Sequence, residues 1–168
     1  MDFFVNLLVD WGLPGMFIAA FLAGSFIPFS SEAVMITLIA AGVDPWGLFI
    51  WASIGNTLGG MFNYGVGHMG NEDWIYKLLK LPPKKLNKGI QQVKRYGVWA
   101  GLLSWIPILG SVITVAMGYL RLNIYYSLIS MGVGKTIRYY IVMAFMLGLM
   151  DSVSELFWKL EGFEVGRV

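Results

Sequence analysis

The chain has 168 residues, of which 57% are hydrophobic and only 13% are charged, and its formal net charge is +2. A soluble domain carries about 25% charged and 45–50% apolar residues, so the polar surface that covers a soluble core is missing here. Composition and length therefore predict a single all-α integral membrane domain over residues 1–168.

The residue inventory excludes several kinds of chemistry. There is no Cys and only one His, His68, so a disulfide framework, a thiolate metal site and a His-cluster metal site are all excluded. No nucleophile–base pair or carboxylate dyad is evident, so we expect no enzyme, no cofactor and no metal. The segment 2–11 is predicted to form a short interfacial helix, and it lacks the basic region of a cleaved signal peptide.

The first long apolar stretch is broken. Residues 13–27 are apolar, the run stops at Pro28, and residues 33–42 are apolar again. The second arm covers only about 15 Å, roughly half a hydrocarbon core, and proline removes a helix hydrogen bond. The pattern predicts a re-entrant helical hairpin with its elbow at Pro28.

A full membrane-spanning helix is predicted next, over residues 46–70. Gly55 and Gly59 form a GxxxG face that suits close helix packing. Together with the first hairpin, this helix forms the first repeat, about residues 13–70.

The linker 71–95 is the most polar segment, with seven cations against two acids. Apolar residues recur in it at helical spacing on both sides of Pro82-Pro83, which predicts two amphipathic surface helices. Its charge places it in the cytoplasm, held at anionic headgroups, and makes nucleic acid an improbable partner.

The second half of the chain repeats the first at an offset of 79 residues. Ser25-Phe26-Ile27-Pro28 recurs as Ser104-Trp105-Ile106-Pro107, and Gly55 and Thr57 recur as Gly134 and Thr136. Arms 98–106 and 112–120 form a second hairpin around Pro107, and 123–150 forms a second span. This second repeat covers about 96–150, and 151–168 is a polar tail.

The repeats are predicted to be inverted. One span precedes the cytoplasmic linker and one follows it, so the two hairpins enter the membrane from opposite sides. Such paired, interrupted segments are the best sequence indication of a transport-type site near the bilayer midplane.

Three charged residues are candidates for that site. Glu32 is the only acid deep in an apolar context, and it is either a coupling carboxyl or an acid stabilised by a helix dipole. Lys135 and Arg138 lie three apart on one face of the second span. They either pair with Glu32 to lock the fold or hold the phosphate of an anionic lipid, for which guanidinium provides bidentate contacts.

Four further residues are secondary candidates. Asn56 is the repeat equivalent of Lys135 and could hydrogen-bond the elbows, and Ser111 is the equivalent of Glu32. Arg121, at the end of the second hairpin, is either an interface anchor or a ligand. Asn63 is interpreted as a packing residue.

These motifs resemble the DedA family of membrane proteins, also called the VTT or SNARE-associated family. A glycine and tyrosine pattern of the family is matched by Gly55, Gly59, Tyr64, Gly67 and Gly70. The likeness is closest to the YqaA-like subgroup, which is similar at Pro28-x-x-Ser31-Glu32, 94–97, 104–107 and 134–139. The family's hairpin arginines are replaced by Ser104 and Ser111, and a common Asp is Gly60.

The resemblance implies a protein that moves lipids. Members are described as flipping undecaprenyl phosphate with proton or sodium coupling, and eukaryotic relatives as scrambling phospholipids. We therefore expect a transporter of an anionic lipid in the bacterial inner membrane, with membrane lipids as partners and a homo-oligomer left open. An ion-coupled transporter of a small solute and a non-transporting scaffold are the alternatives.

Overall fold

The computed structural model describes residues 10–25, 27, 29–70, 72–79, 82–106 and 109–164, with the side chains of 156–164 and of several residues in 72–79 left aside. This described part of the chain is helical and contains no β-strand. Its elements are α1 (Leu13–Gly24), α2 (Ser31–Ala40), α3 (Pro45–His68), α4 (Glu72–Leu79), α5 (Pro83–Tyr96), a 3₁₀ helix (Gly97–Trp105), α6 (Leu109–Tyr119) and α7 (Ile124–Glu164).

Helices α1, α2 and α3 follow closely the boundaries predicted for the arms of the first hairpin and for the first long helix. Ser30 caps α2 by accepting a hydrogen bond from the Ala33 amide at 3.4 Å. Helix α1 lies directly along α3, because Gly55 and Gly59 let the α3 backbone approach the carbonyls of Phe17 and Phe21 in α1. A Cβ atom at either glycine would overlap those carbonyl oxygens.

The two long helices, α3 and α7, pack antiparallel. Near the end of α3, Tyr64 donates a hydrogen bond to the carbonyl of Leu122, just before α7 begins. Near the start of α3, the ring of Phe49 lies 6.2 Å from that of Tyr140, further along α7. The end of α3 therefore lies near the start of α7, and the start of α3 lies near later residues of α7, so the two helices run antiparallel.

The linker forms the two predicted amphipathic helices, α4 and α5, separated at Pro82-Pro83. The apolar face of α5 does not lie on lipid, however. Gly89 packs against Val112 and Ala116 of α6, and Leu86 and Val93 are buried as well. The protein thus covers the apolar face and leaves the cationic face exposed: Lys84, Lys85, Lys88, Lys94 and Arg95.

The second hairpin differs from the first in its leading arm. The sequence predicts an arm over 98–106, and the structure has a nine-residue 3₁₀ helix there, followed by α6, which is buried from Val112 to Gly118. Both elbow residues, Pro28 and Pro107, lie outside the described residues, as does most of the predicted interfacial helix 2–11.

One helix in the described part of the chain is long and apolar enough, by length and composition, to cross a membrane: Ile124–Glu155 in α7, with mean hydropathy 1.3. Helix α3 has 24 residues, about 36 Å at 1.5 Å per residue, but its glycines and asparagines dilute its apolar character. Three shorter apolar helices, α1, α2 and α6, coincide with predicted hairpin arms. Helix α7 continues through Asp151 to Glu164, so no structural break marks the predicted polar tail.

Candidate functional site

A chain of buried polar side chains joins α2, α3 and α7. The Tyr139 hydroxyl lies 2.6 Å from the Ser31 hydroxyl, and it accepts a hydrogen bond of 2.9 Å from the Asn56 side-chain amide. Since the amide nitrogen can only donate, we infer that the phenol donates onward to Ser31. All three residues are at most 3% exposed, so the chain runs through the interior.

Lys135 is the last member of this hydrogen-bonded network, on the other side of Asn56. Its ammonium donates to the Asn56 backbone carbonyl at 2.9 Å and also to the Asn56 side-chain oxygen. The residue is only 4% exposed, and a buried charge is tolerated only when it is paired or hydrogen-bonded. Gly60 makes room for it, because a Cβ there would lie 3.0 Å from the Lys135 Cε atom.

Glu32 and Arg138 form an ion pair beside this network. The Arg138 guanidinium contacts one carboxylate oxygen of Glu32, and Ser30 donates to the other carboxylate oxygen at 3.4 Å. The two side chains are 23% and 24% exposed, unlike the enclosed Lys135. One interpretation of the sequence pairs Glu32 with Lys135 and Arg138. In the structure Glu32 pairs with Arg138, whereas Lys135 is bound to Asn56.

The site carries a formal positive surplus. Two basic residues, Lys135 and Arg138, lie one helical turn apart on α7, and among the described residues one acid, Glu32, forms an ion pair there, with Arg138. A partly exposed guanidinium next to a second, buried cation attracts an anion more than a balanced pair would. The arrangement can therefore hold a phosphate or carboxylate if Glu32 moves away from Arg138.

A second buried polar cluster joins the ends of the two hairpins. Ser111 donates to the Ser25 carbonyl at 3.3 Å, and Asn63 donates to the Gly24 carbonyl at 3.2 Å and weakly to Thr114 at 3.5 Å. Ser111 therefore links the hairpins and does not reach Glu32, its repeat equivalent. Asn63 has the packing role expected of it, although its side-chain oxygen is buried without a hydrogen-bond partner.

The remaining predicted residues lie elsewhere. Arg121 is exposed in the turn between α6 and α7, away from the ion pair, and Gly55 and Gly59 mediate the packing of α1 on α3. His68 is exposed at the end of α3, where its ring stacks on Tyr64. No group of three His, Cys, Asp or Glu side chains that could bind a metal occurs in the described ranges.

Sequence reasoning missed Tyr139 and Ser31 as members of the network. Sequence analysis gives Tyr139 no role of its own, yet its hydroxyl connects α2 to α3. A signal was present, because Tyr139 lies four residues after Lys135 and so shares its helix face.

Fold and site together define a helical membrane protein with a buried polar network between two antiparallel helices. A VTT-domain family model matches residues 13–148, and the chain belongs to this family, the DedA family. It is 35% identical over 134 residues to an uncharacterized protein of Haemophilus influenzae, covering 74% of this chain and 80% of that protein. It is 30% identical over 130 residues to the inner membrane protein YqaA of Escherichia coli, covering 77% and 87%.

A further relative carries a functional name. The undecaprenyl phosphate transporter A of Staphylococcus aureus is 33% identical over 99 residues, which cover 54% of this chain and 48% of that protein. No solved structure is matched by this chain.

Proposed function

We propose that this protein is a transporter, not an enzyme, and that it moves an anionic lipid across the bacterial cytoplasmic membrane. The observation that carries the proposal is the Glu32–Arg138 ion pair, partly exposed and adjacent to the buried cation of Lys135. The names of two relatives, an inner membrane protein and an undecaprenyl phosphate transporter, support the membrane and the lipid class.

In this proposal Glu32 acts as a gate. When Glu32 contacts Arg138, the guanidinium is neutralised and the site is closed. When the carboxyl leaves, Arg138 is free for bidentate contact with a lipid phosphate. Lys135 lies one helical turn from Arg138 and binds Asn56 from within, and the Ser31–Tyr139–Asn56 chain holds α2, α3 and α7 in register around the site.

Contacts between α3 and α7 support the inverted repeat. Asn56 and Lys135, equivalent at an offset of 79 residues, contact each other. The contact between Asn56 and Tyr139 also has a counterpart. At the same offset Asn56 corresponds to Lys135 and Tyr139 to Gly60, and Lys135 lies against Gly60. Equivalent positions meet in this way around a two-fold axis. Because α3 and α7 run antiparallel, such an axis would invert one repeat relative to the other in a membrane.

Proteoliposome assays of headgroup flipping test the proposal. We expect Arg138→Gln to reduce flipping of a headgroup-labelled phosphatidylglycerol about tenfold or more, because the phosphate loses its partner. We expect Glu32→Gln to bind lipid more tightly and flip it more slowly, since nothing displaces the phosphate. Lys84→Gln removes an exposed cation of α5 and should flip lipid like the parent protein.

A structural lock is the alternative that one observation favours, since both charged side chains are already paired. The exchanged pair Glu32→Arg with Arg138→Glu separates the two functions. It retains an ion pair but places an acid where the phosphate is proposed to bind, so we expect normal stability without flipping. Wild-type flipping by the exchanged protein would show that the pair only locks the helices together, and it would contradict the proposed phosphate site. Solute uptake without lipid movement would instead favour the ion-coupled transporter.

A further inference from the structure

An open groove lies at the far end of the α3–α7 contact from the Glu32–Arg138 pair. It encloses about 450 Å³, and its walls come from the end of α3 and the start of α7: Met61, Tyr64, Gly65, His68, Leu122 and Ile124. The lining is mostly apolar, and Gly65 forms an open part of the wall, since nothing lies within 4 Å of where its Cβ would be. The shape and lining suit a hydrocarbon chain.

The turn that precedes Leu122 contains an unusual backbone conformation. Helix α6 ends in a Schellman-type turn, in which the Leu122 amide donates to the Met117 carbonyl at 3.1 Å and the Arg121 amide donates to Gly118 at 2.8 Å. Arg121 occupies the left-handed position of this turn, with φ of +53°. Any residue with a Cβ atom is disfavoured there, and glycine is the usual choice.

Every other positive φ angle among the described residues belongs to a glycine. Positive φ angles occur at Gly12, Gly42, Gly70 and Gly97, and Arg121 is the exception. A backbone outlier that persists where glycine would be more stable indicates a side chain kept for its chemistry. Here that side chain is an exposed cation on the residue directly before Leu122, which lines the groove, and His68 contributes an exposed imidazole to the groove itself.

We propose that this groove binds a single anionic phospholipid of the bilayer, with an acyl chain along Gly65 and the phosphate at Arg121 and His68. The argument for this occupant is complementarity. The groove is apolar, the residue directly before its lining residue Leu122 carries a guanidinium that cannot deprotonate, and an imidazole that can donate a hydrogen bond lines it. The inference rests on the proposed function only in placing α3 and α7 in a membrane, because it concerns binding and not transport.

Native mass spectrometry of the purified full chain, titrated with phosphatidylglycerol, measures this binding directly. Gly65→Leu should fill the groove without a clash and lower the affinity about tenfold or more. The matched control is Gly148→Leu, at a second helical glycine with nothing within 4 Å of its Cβ position, and it should bind like the parent. Arg121→Gly should weaken binding similarly while its unfolding temperature stays unchanged or rises.

Four outcomes would overturn the inference. Equal affinity for phosphatidylcholine and phosphatidylglycerol would show that the groove does not recognise the anionic headgroup. Full affinity in Gly65→Leu, or an equal loss in Gly148→Leu, would place the lipid elsewhere. Dimers that dissociate in Gly65→Leu would show that a second copy occupies the groove. Loss of binding in Arg138→Gln but not in Arg121→Gly would assign the lipid to the ion-pair site.

The first proposal can fail independently. If Arg138→Gln flips lipid normally but Gly65→Leu and Arg121→Gly still lose phosphatidylglycerol, the groove stands and the transport site does not. The Arg121→Gly variant also guards against misfolding as an explanation, because its backbone becomes more favourable and not less.

Discussion

Removing one hydroxyl group from the centre of the protein tests the buried network most directly. In Tyr139→Phe the ring remains, but Ser31 and Asn56 each lose a hydrogen-bond partner. Side-chain hydrogen bonds between membrane helices are worth about 0.6 kcal/mol on average, so two of them account for roughly 1 kcal/mol. Leaving the buried Asn56 amide without an acceptor adds about 1 kcal/mol. We expect a total loss of about 2 kcal/mol in the free energy of unfolding.

Tyr140→Phe provides the matched control. Tyr140 is the next residue on α7, it is 52% exposed, and its described contact is a ring contact with Phe49 that phenylalanine preserves. Reversible unfolding of both variants in mixed detergent micelles, followed by circular dichroism, compares the two free energies. If Tyr139→Phe and Tyr140→Phe lose equally little, the network contributes nothing to stability and the reasoning about it is wrong.

Two further predictions concern helix packing and helix capping. Gly59→Ala should destabilise the protein by about 1–3 kcal/mol, because the new methyl group meets the Phe21 carbonyl, whereas Gly65→Ala, in open space, should stabilise α3 by up to about 1 kcal/mol. Thermal unfolding of the two variants measures the contrast, and shifts of the same sign would contradict the packing. Asp44→Ala removes the cap that accepts the Gly47 amide at 2.6 Å, so we expect a loss of about 1 kcal/mol, and Asp44→Asn should retain most of it. Equal losses in the alanine and asparagine variants would argue against a capping role.

Much of the architecture could be predicted because it depends on local signals. Proline and serine positions, apolar run lengths and the linker charge indicate the order of the helices and their approximate boundaries. The form of the second leading arm could not be predicted, because 3₁₀ helices of this length are uncommon and an apolar run such as 98–106 normally indicates an α-helix. The sequence places the end of the span at Asp151, where the chain becomes polar. The helix continues to Glu164, because a change in polarity does not by itself end a helix.

The site was predicted in its charges but not in its connections. Glu32, Lys135 and Arg138 are conspicuous in sequence, since ionisable residues are rare in apolar segments. Their pairing depends on the rotation of α7 relative to α2 and α3, which no local pattern determines. Arg138 therefore contacts Glu32, whereas Lys135 turns to an amide. Tyr139 joins the network through a hydroxyl that sequence alone cannot distinguish from that of a packing tyrosine.

The contact between Asn56 and Lys135 also bears on how such a chain could have arisen. If two separate, identical half-size subunits had associated, the same residue would stand on both sides of this contact. Two lysines would repel each other, and two asparagines would carry no charge. An ammonium donating to an amide oxygen requires that the two copies differ. If the two halves arose by duplication, this pairing became accessible only once the two copies could mutate independently, so their divergence had to precede a paired charge at the centre of the molecule.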